Sequence, residues 1–313
     1  MCVLAWELTG AVIGAGMASG REIASFFGRY GGWGIAGIGL SVIIMPYLSD
    51  AEIPHAWQGR WPERCWHLLR TLLLVCTGGA MLSGSGEMLS LSLPITGSYW
   101  FGIVITMVFA WCLTRYTASG LACVSKLIFA LMLFVLVYGL SLPKDDAAYL
   151  PQQNPMAALG SGITYGGFNA ALQQPIVMLS PLSKKERRRA SCHASVIVGL
   201  VLLLGYAVLQ KHRILLDEAL PFIAMLRNAG KLGYLLGFSC LYFAILSTLT
   251  ACVRSLNAAW FPVTAMLLLS TIGLTEVVQI AYPLLGGGFM LMMAASKLTN
   301  CRFPPFHSGK YML

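Results

Sequence analysis

Charged residues are scarce in this sequence, and their scarcity excludes a soluble globular protein. Lys, Arg, Asp and Glu make up 11% of the 313 residues, and 57% of the residues are hydrophobic. Soluble domains carry about 25% charged residues on average. Hydrophobic stretches of roughly 18 to 25 residues recur along the whole chain, and this is the length needed to cross about 30 Å of hydrocarbon. The sequence therefore predicts an all-α integral membrane protein.

Patterns of metal ligands and catalytic groups are also missing. The nine cysteines include no C-x-x-C pair, and the five histidines are scattered without ligand spacing. Ser85 lies between two glycines but lacks the surrounding pattern of a hydrolase nucleophile. The sequence thus predicts no enzymatic activity, no transition-metal site and no cofactor, and a membrane enzyme is the weakest alternative.

Ten hydrophobic spans are predicted, with mostly short links that indicate a single transmembrane domain over residues 1–313. A longer polar link, 210–230, is interpreted as an external loop. The first span lacks a basic start and an obvious cleavage site, so it is interpreted as a retained helix and not as a signal peptide. The spans run over 4–28, 33–53, 68–92, 98–114, 118–141, 156–180, 191–209, 231–253, 257–273 and 277–296.

Basic residues indicate the orientation of these spans. Cytoplasmic loops hold an excess of Lys and Arg, and this excess places both termini on the cytoplasmic side of a prokaryotic-type plasma (inner) membrane. The basic run at 184–189 has a nucleic-acid alternative, but a loop beside anionic lipid explains it better. We therefore expect the lipid bilayer and a small-molecule substrate as partners, expect no nucleic acid, and leave the oligomeric state open.

Glycines interrupt the first span between Gly10 and Glu22. Freed backbone groups are costly in hydrocarbon, so an unwound stretch persists only where it is buried in protein or lines a wet cavity. A second glycine-rich run, at 160–169, occupies the corresponding place in the sixth span. The two halves, 4–141 and 156–296, hold five spans each, so the second half must be inverted. Paired interruptions in inverted repeats indicate a midplane substrate site in a secondary transporter; the alternative is that the glycines only allow close helix packing.

Five plus five inverted spans with broken first and sixth helices resemble the LeuT-type fold of the amino acid, polyamine and organocation (APC) transporter superfamily. Within it, the segment from Gly14 to Ile23, followed by Phe26-Phe27 and Tyr30-Gly31, resembles the YkvI-type membrane proteins. The resemblance implies a secondary transporter that works by alternating access. An amino acid or related amine is the favoured substrate, carried by a symporter together with sodium or protons. A non-transporting membrane sensor, receptor or assembly subunit with the same fold is the alternative.

The predicted substrate site combines the two glycine-rich runs. Where the second half of the first helix begins, unpaired N–H groups and the positive end of the helix dipole suit a carboxylate. Aromatic and amide side chains of the second run are expected to close the pocket and to recognise polar groups. The predicted substrate-binding residues are Gly14, Ala15, Gly16, Met17, Ser19, Tyr165, Gly166, Gly167, Phe168 and Asn169.

A cation site is predicted beside the substrate site. Carbonyls freed near Gly10 and Ile13 suit a cation, and the resemblance implies that Ser247 and Thr248 supply two hydroxyls. The alternative is that these hydroxyls bind their own helix backbone. Lys126 lies inside the fifth span, where a lysine is costly, and its ammonium is expected either to replace sodium in this site or to snorkel to the inner interface. The coupling ion is left open between sodium and protons.

Charged residues near the ends of the spans are predicted to form gates. Arg21 follows the break by about one helical turn, and the resemblance implies an outer-gate arginine that pairs with Glu87, Glu22 or Glu276. Glu87 has the alternatives of binding a substrate amino group, carrying a proton or forming a structural salt bridge. Inner-side gating or interface contacts are predicted for three acidic residues, Glu7, Asp50 and Glu52.

Overall fold

The structure, a computed structural model, describes residues 1–93, 95–115, 118–144, 154–218, 220–227, 230–257 and 260–302. These residues are mostly helical and contain no strand. Three segments are 3-10 helices, Gly28–Tyr30, His55–Trp57 and Arg213–Asp217, and Val277–Ala281 is a π-helix. The α-helices are α1 (Cys2–Val12), α2 (Ala15–Ala18), α3 (Arg21–Phe26), α4 (Trp33–Leu48), α5 (Trp61–Ser92), α6 (Ser98–Leu113), α7 (Ala118–Ser141), α8 (Pro155–Leu179), α9 (Lys184–Lys211), α10 (Pro221–Arg227), α11 (Gly230–Ser255), α12 (Trp260–Leu269), α13 (Leu274–Glu276) and α14 (Tyr282–Arg302).

Each of the ten predicted spans coincides with helical segments of the structure. α1, α4, α6 and α12 are apolar helices of 10 to 17 residues. The prediction of an all-helical membrane protein is confirmed, whereas full crossing by all ten spans stays a prediction. In the part of the chain that the structure describes, five stretches are long and apolar enough to cross a membrane, namely Trp61–Ser92, Ala122–Ser141, Lys184–Lys211, Gly230–Ser255 and Val277–Thr299.

The first span is interrupted near Gly14, as its glycines predict, and the structure shows a second break at Gly20 that the sequence does not predict. α1 ends at Val12, and Gly14 is extended, with a ψ of −169°. α2 has four residues, and Gly20 separates it from α3 in a left-handed conformation, with a φ of +87°. Glycine adopts this conformation without steric cost, whereas a residue with a side chain is strained there. The first span therefore consists of three pieces, and the helix ends between them leave backbone groups without intrahelical partners.

The predicted break in the sixth span is wrong, because α8 runs without interruption from Pro155 to Leu179. Its glycines allow neighbouring helices to approach closely instead. A Cβ atom added at Gly162 would lie 2.7 Å from the Cα of Gly37 on α4, and one added at Gly167 would lie 2.5 Å from the Cβ of Met290 on α14. The packing alternative thus explains this run, and the described residues of the sixth span contain no interruption that matches the one in the first span.

α8 lies in the interior of the helix bundle. It packs against α1, α4, α11 and α14, and almost every side chain from Tyr165 to Val177 is buried. This position explains why a helix of 25 residues carries the polar side chains of Asn169, Gln173 and Gln174, since polar groups at membrane depth face the protein interior. α8 is thereby placed beside the broken first span.

Candidate functional site

The end of α1 meets two hydroxyl groups of α11. Carbonyl oxygens in the last turn of a helix have no partner within that helix, and Gly10 and Ala11 lie in this turn. Ser247 Oγ and Thr248 Oγ1 donate hydrogen bonds to the carbonyl oxygen of Gly10, over 3.2 and 3.3 Å. Thr248 Oγ1 also lies 3.4 Å from the carbonyl oxygen of Ala11. These two hydroxyls therefore bind the freed backbone of α1 and not the backbone of their own helix, whereas the cation site at this point stays a prediction.

A third hydroxyl, from α7, lies at the same point. A Cβ atom added at Gly10 would overlap the Ser125 Oγ and would lie 2.7 Å from the Ser247 Oγ. Glycine at position 10 therefore lets both side chains approach the α1 backbone. Sequence reasoning missed Ser125, although it directly precedes Lys126, which drew attention to this helix. Carbonyl and hydroxyl oxygens from three helices converge here, which is a set of groups that suits a small cation.

Lys126 lies outside this cluster, so the expectation that its ammonium replaces sodium there is wrong. The Lys126 side chain is exposed, and its Nζ lies 6.0 Å from the ring centroid of Trp6. Successive residues of an α-helix point about 100° apart, and Ser125, not Lys126, faces Gly10. Ile13 is buried in the break, where its N–H donates to the carbonyl oxygen of Thr9 over 2.9 Å.

A cavity of about 290 Å³ leads to the cluster from the end of the protein that carries the N-terminus. Met1 lines this cavity, and so do Ser125 and Ser247 of the cluster. Glu7 and Arg254 also line it and form an ion pair with a separation of 3.2 Å. The cation cluster is therefore connected to one face of the protein, and an ion pair between α1 and α11 borders the connection.

A buried carboxyl group joins α3 to α8 on the other side of the break. The hydroxyl of Tyr165 donates to the Oε2 atom of Glu22 over 3.1 Å, and both side chains are buried. The same carboxyl group lies against Gly16, since a Cβ atom added there would overlap its Oε1 atom. The rings of Phe26 and Phe27 each pack on Tyr165 with centroids 5.1 Å apart. Two predicted site residues, Gly16 and Tyr165, thus meet through Glu22.

The other predicted residues of the second run divide into two groups. Phe168 stacks on Tyr282 of α14 at a centroid distance of 4.0 Å, and the Nδ2 atom of Asn169 donates to the carbonyl oxygen of Tyr165. The Oδ1 atom of Asn169 is buried and has no hydrogen-bond partner among the described residues. Gly166 and Gly167 face the packing surfaces of α4 and α14. The two glycines therefore serve helix packing, and the longer side chains face the buried interior.

The remaining predicted residues of the first run are buried in or beside α2. The N–H of Ala15 points to the Sδ atom of Met81 at 3.3 Å. Ser19 Oγ donates to the carbonyl oxygen of Gly16 over 3.1 Å. Met17 is fully buried, and a Cβ atom at Gly14 would lie 3.0 Å from the Thr248 hydroxyl. The backbone at Gly14 is therefore close to the cation cluster, and Gly16 is close to Glu22.

Arg21 attaches α3 to the polar segment that precedes α11. Its Nη1 atom donates to the carbonyl oxygens of Glu218, over 3.1 Å, and Leu216, over 3.5 Å. The N–H of Phe222 donates to the carbonyl oxygen of Ser19 over 2.8 Å. The segments 213–218 and 220–227 therefore cover the second interruption of the first span.

Arg21 does not form the predicted pair with Glu87, and Glu276 acts on the Arg21 guanidinium through its charge without a direct salt bridge among the described residues. Glu87 Oε1 instead accepts hydrogen bonds from the N–H of Leu274, over 3.3 Å, and from Ser83 Oγ, over 3.2 Å. A carboxylate at the first N–H group of a helix such as α13 is favourable, because that group has no partner in the helix. Glu276 is exposed and lies beside Gly273. The two acidic residues thus belong to the α5–α13 contact.

A second cavity, of about 370 Å³, borders α3, α8 and the π-helix Val277–Ala281. Phe26 lines this cavity and also packs on Tyr165. Ser25, Ser161 and Thr164 contribute hydroxyls to its wall. The Phe26 ring therefore touches both the cavity and the buried Glu22–Tyr165 pair. π-helical turns occur frequently at functional sites, and this one forms part of the cavity wall.

Two further ion pairs link the segment that follows α4 to neighbouring helices. Lys297 of α14 pairs with Asp50, and Arg187 of α9 pairs with Glu52 at 3.1 Å. These contacts and the Glu7–Arg254 pair connect neighbouring helices, and inner-side gating or an interface role for the three acidic residues stays a prediction. Among the described residues, no group of three or more His, Cys, Asp and Glu side chains has a metal-binding arrangement.

The chain is similar in sequence to two proteins of Bacillus subtilis (strain 168). It is 24% identical to YyaD in an alignment of 315 positions, gaps included, that covers 89% of this chain and 90% of YyaD. It is 22% identical to the membrane protein YkvI in an alignment of 218 positions, gaps included, that covers 63% of this chain and 61% of YkvI. No protein-family profile matches the chain. The similarity to a membrane protein and the apolar helices together identify an integral membrane protein.

The fold is similar to that of a solved transporter. The structure matches the Eremococcus coleocola manganese transporter, solved in complex with an aromatic bis-isothiourea substituted compound, with a TM-score of 0.53 and 16% sequence identity. The match covers 94% of this chain and 77% of the transporter. This chain therefore has a fold of the kind found in a membrane transporter.

Proposed function

We propose that the protein is a secondary active transporter that works by alternating access. The observation that carries the proposal is the contact between the freed Gly10 carbonyl at the end of α1 and the hydroxyls of Ser247 and Thr248 on α11. Broken helices in transporters place freed carbonyls at coupling cations. The similarity to the fold of a manganese transporter supports the same function. We assign the chain to the LeuT-type, APC-related transporters on this basis.

We propose sodium as the coupling ion at this cluster. The carbonyls near Gly10 and Ile13, with the Ser247 and Thr248 hydroxyls, would supply oxygen ligands, and Ser125 would supply another. Lys126 lies over Trp6 and outside the cluster. We therefore do not propose Lys126 as the group that carries a proton in place of sodium. The cavity that contains Ser125 and Ser247 would admit the ion from the cytoplasmic side, if both termini are cytoplasmic as the basic residues predict.

We propose a small organic solute, an amino acid or related amine, as the substrate. It would bind between the broken first span and α8, with Gly14 to Gly16 on one side and Tyr165, Phe168 and Asn169 on the other. Because α8 is unbroken, the freed backbone groups of this site come from the first span alone. The buried polar groups at this contact support an organic substrate with hydrogen-bonding groups, since buried polar atoms require partners.

The test begins with the purified protein in detergent. Thermal-shift measurements with amino acids and amines, and with Mn²⁺ as a separate arm, identify stabilising ligands. Each ligand found is then offered to proteoliposomes under a sodium gradient, under a proton gradient and under none. Accumulation that depends on the sodium gradient supports the proposal. A ligand that stabilises the protein and is never transported identifies a sensor or receptor, and accumulation of Mn²⁺ alone overturns the organic substrate.

A further inference from the structure

Glu22 is a carboxyl group buried where three helical pieces meet. Its side chain lies on α3 and is 3% exposed. The Tyr165 hydroxyl of α8 donates to its Oε2 atom, and its Oε1 atom lies against the backbone of Gly16 in α2. Gly16 is thus required for this arrangement, because any side chain there would occupy the position of the carboxyl group. From the sequence alone, Glu22 is expected only as a partner for Arg21.

No described residue forms an ion pair with Glu22. The neighbouring Arg21 directs its guanidinium to the carbonyls of Leu216 and Glu218. The titratable groups that face Glu22 are Tyr165 on α8 and Tyr282 on α14. On the other elements packed against α3, Tyr206 of α9 donates to the Gly31 carbonyl, and Arg29 and Tyr30 line the cavity beside Phe26.

An ionised carboxylate buried without a cation is very costly. Two species relieve this cost: a proton bound to the carboxyl group, or a cationic group of a ligand placed beside it. Buried polar atoms without hydrogen-bond partners lie on the same side of α8 as Tyr165. Among the described residues, they are the Oδ1 atom of Asn169 and both amide atoms of Gln173. Apart from the Gln173 amide nitrogen, these atoms are acceptors for the N–H groups of an ammonium ion.

We propose that Glu22 and Tyr165 form a cation-exchange site, in which Glu22 holds a proton in this closed arrangement and releases it when the ammonium group of a substrate binds. The O–H bond of the carboxyl group breaks, the proton passes to water in the cavity lined by Phe26, and the carboxylate binds the ammonium by charge and hydrogen bonding. Tyr165 donates to the carboxyl group in both forms and acts as a positioning residue. This inference rests on the proposed function and narrows the substrate class to amines.

The experiment measures the protonation of Glu22 directly. Infrared spectra of the purified protein are recorded for the wild type, for Glu22→Gln and for Tyr165→Phe, with Glu63→Gln as a matched control near the protein surface. We expect a protonated-carboxyl band in the wild type that is absent in Glu22→Gln and unchanged in Glu63→Gln. Tyr165→Phe shifts the band, because the carboxyl oxygen loses a hydrogen bond. A wild-type spectrum without a band that depends on Glu22 overturns the proposal.

A second arm adds the primary amine that gives the largest thermal shift, or putrescine where no panel member gives one. In weakly buffered detergent solution, the wild type releases about one proton per bound amine, and the Glu22-dependent band disappears. Glu22→Gln binds the amine at least about tenfold more weakly and releases no proton. A band that persists at saturating amine overturns the exchange. If the amine binds and a proton is released but no uptake occurs, the exchange site is supported and transport is refuted. If uptake is unchanged in Glu22→Gln, the exchange site is refuted and transport is supported.

Discussion

The hydroxyl of Thr248 donates a hydrogen bond to the carbonyl oxygen of Gly10 over 3.3 Å, although the two residues are 238 positions apart in the chain. Two positions later on α11, the Thr250 hydroxyl donates to the carbonyl oxygen of Leu246 in its own helix. Both threonines are buried. The same residue type thus has two uses on one helix, and only Thr248 binds the freed end of α1. This difference makes Thr250 a matched control for the cation site.

Replacing Thr248 by valine removes this hydroxyl and preserves the shape of the side chain. We expect sodium affinity to fall by about tenfold, because one ligand worth roughly 1 kcal/mol or more is lost. Thr250→Val lacks only a bond to its own helix and should keep the wild-type sodium affinity. The measurement is the thermal shift of each variant as sodium chloride replaces choline chloride. If both variants lose the same amount of sodium affinity, or if neither variant loses any, Thr248 is not a ligand of sodium.

Gly10 should not tolerate even one additional carbon atom. Its Cβ would overlap the Ser125 hydroxyl and lie 2.7 Å from that of Ser247. Overpacking a tight site costs about 1 to 3 kcal/mol, so Gly10→Ala should lower the unfolding temperature in detergent. Gly287→Ala is the control, because a Cβ at Gly287 meets no atom within 4 Å. Adding Ser125→Ala to Gly10→Ala should restore part of the loss, since the two sites are in contact. Strictly additive losses would show that Ser125 does not lie against Gly10.

Arg21 is expected to hold the polar segment over the break. Hydrogen bonds from a charged donor are worth about 1.5 to 3 kcal/mol, so Arg21→Gln should accelerate local opening of 213–218 and 220–227 by roughly ten- to a hundredfold. Hydrogen–deuterium exchange followed by mass spectrometry measures this opening. Arg227→Gln alters an exposed arginine in the same region and should leave the exchange near the wild-type rate. An exchange rate in Arg21→Gln equal to that of the wild type would show that Arg21 does not hold these segments over the break.

The sequence predicts the break at Gly14 correctly and the break in α8 incorrectly, although both runs are rich in glycine. The difference lies in the neighbours. Gly162 faces the backbone of Gly37 on another helix, and a one-dimensional pattern does not show which helix supplies that surface. The hydroxyl pair on α11 was found through a resemblance.

Ser125 has no such guide in the sequence, and the resemblance names Glu22 only as a partner for Arg21. Their importance comes from what they touch in three dimensions, Gly10 in one case and Gly16 with Tyr165 in the other. A polar residue inside a predicted span is a signal that the sequence does contain, because such residues are costly in a membrane. A search of every span for polar residues finds both Ser125 and Glu22, but it does not show which other residues they contact.

The most direct test of the central claim is uptake into proteoliposomes of the ligand that stabilises the protein most, driven by an imposed sodium gradient. We compare the wild type with Gly16→Leu, whose side chain would displace the Glu22 carboxyl group, and with Gly39→Leu, where a Cβ meets no atom within 4 Å. We predict accumulation by the wild type and by Gly39→Leu, and none by Gly16→Leu at an equal amount of folded protein in the membrane. Wild-type accumulation by Gly16→Leu would contradict a substrate site at the break of the first span.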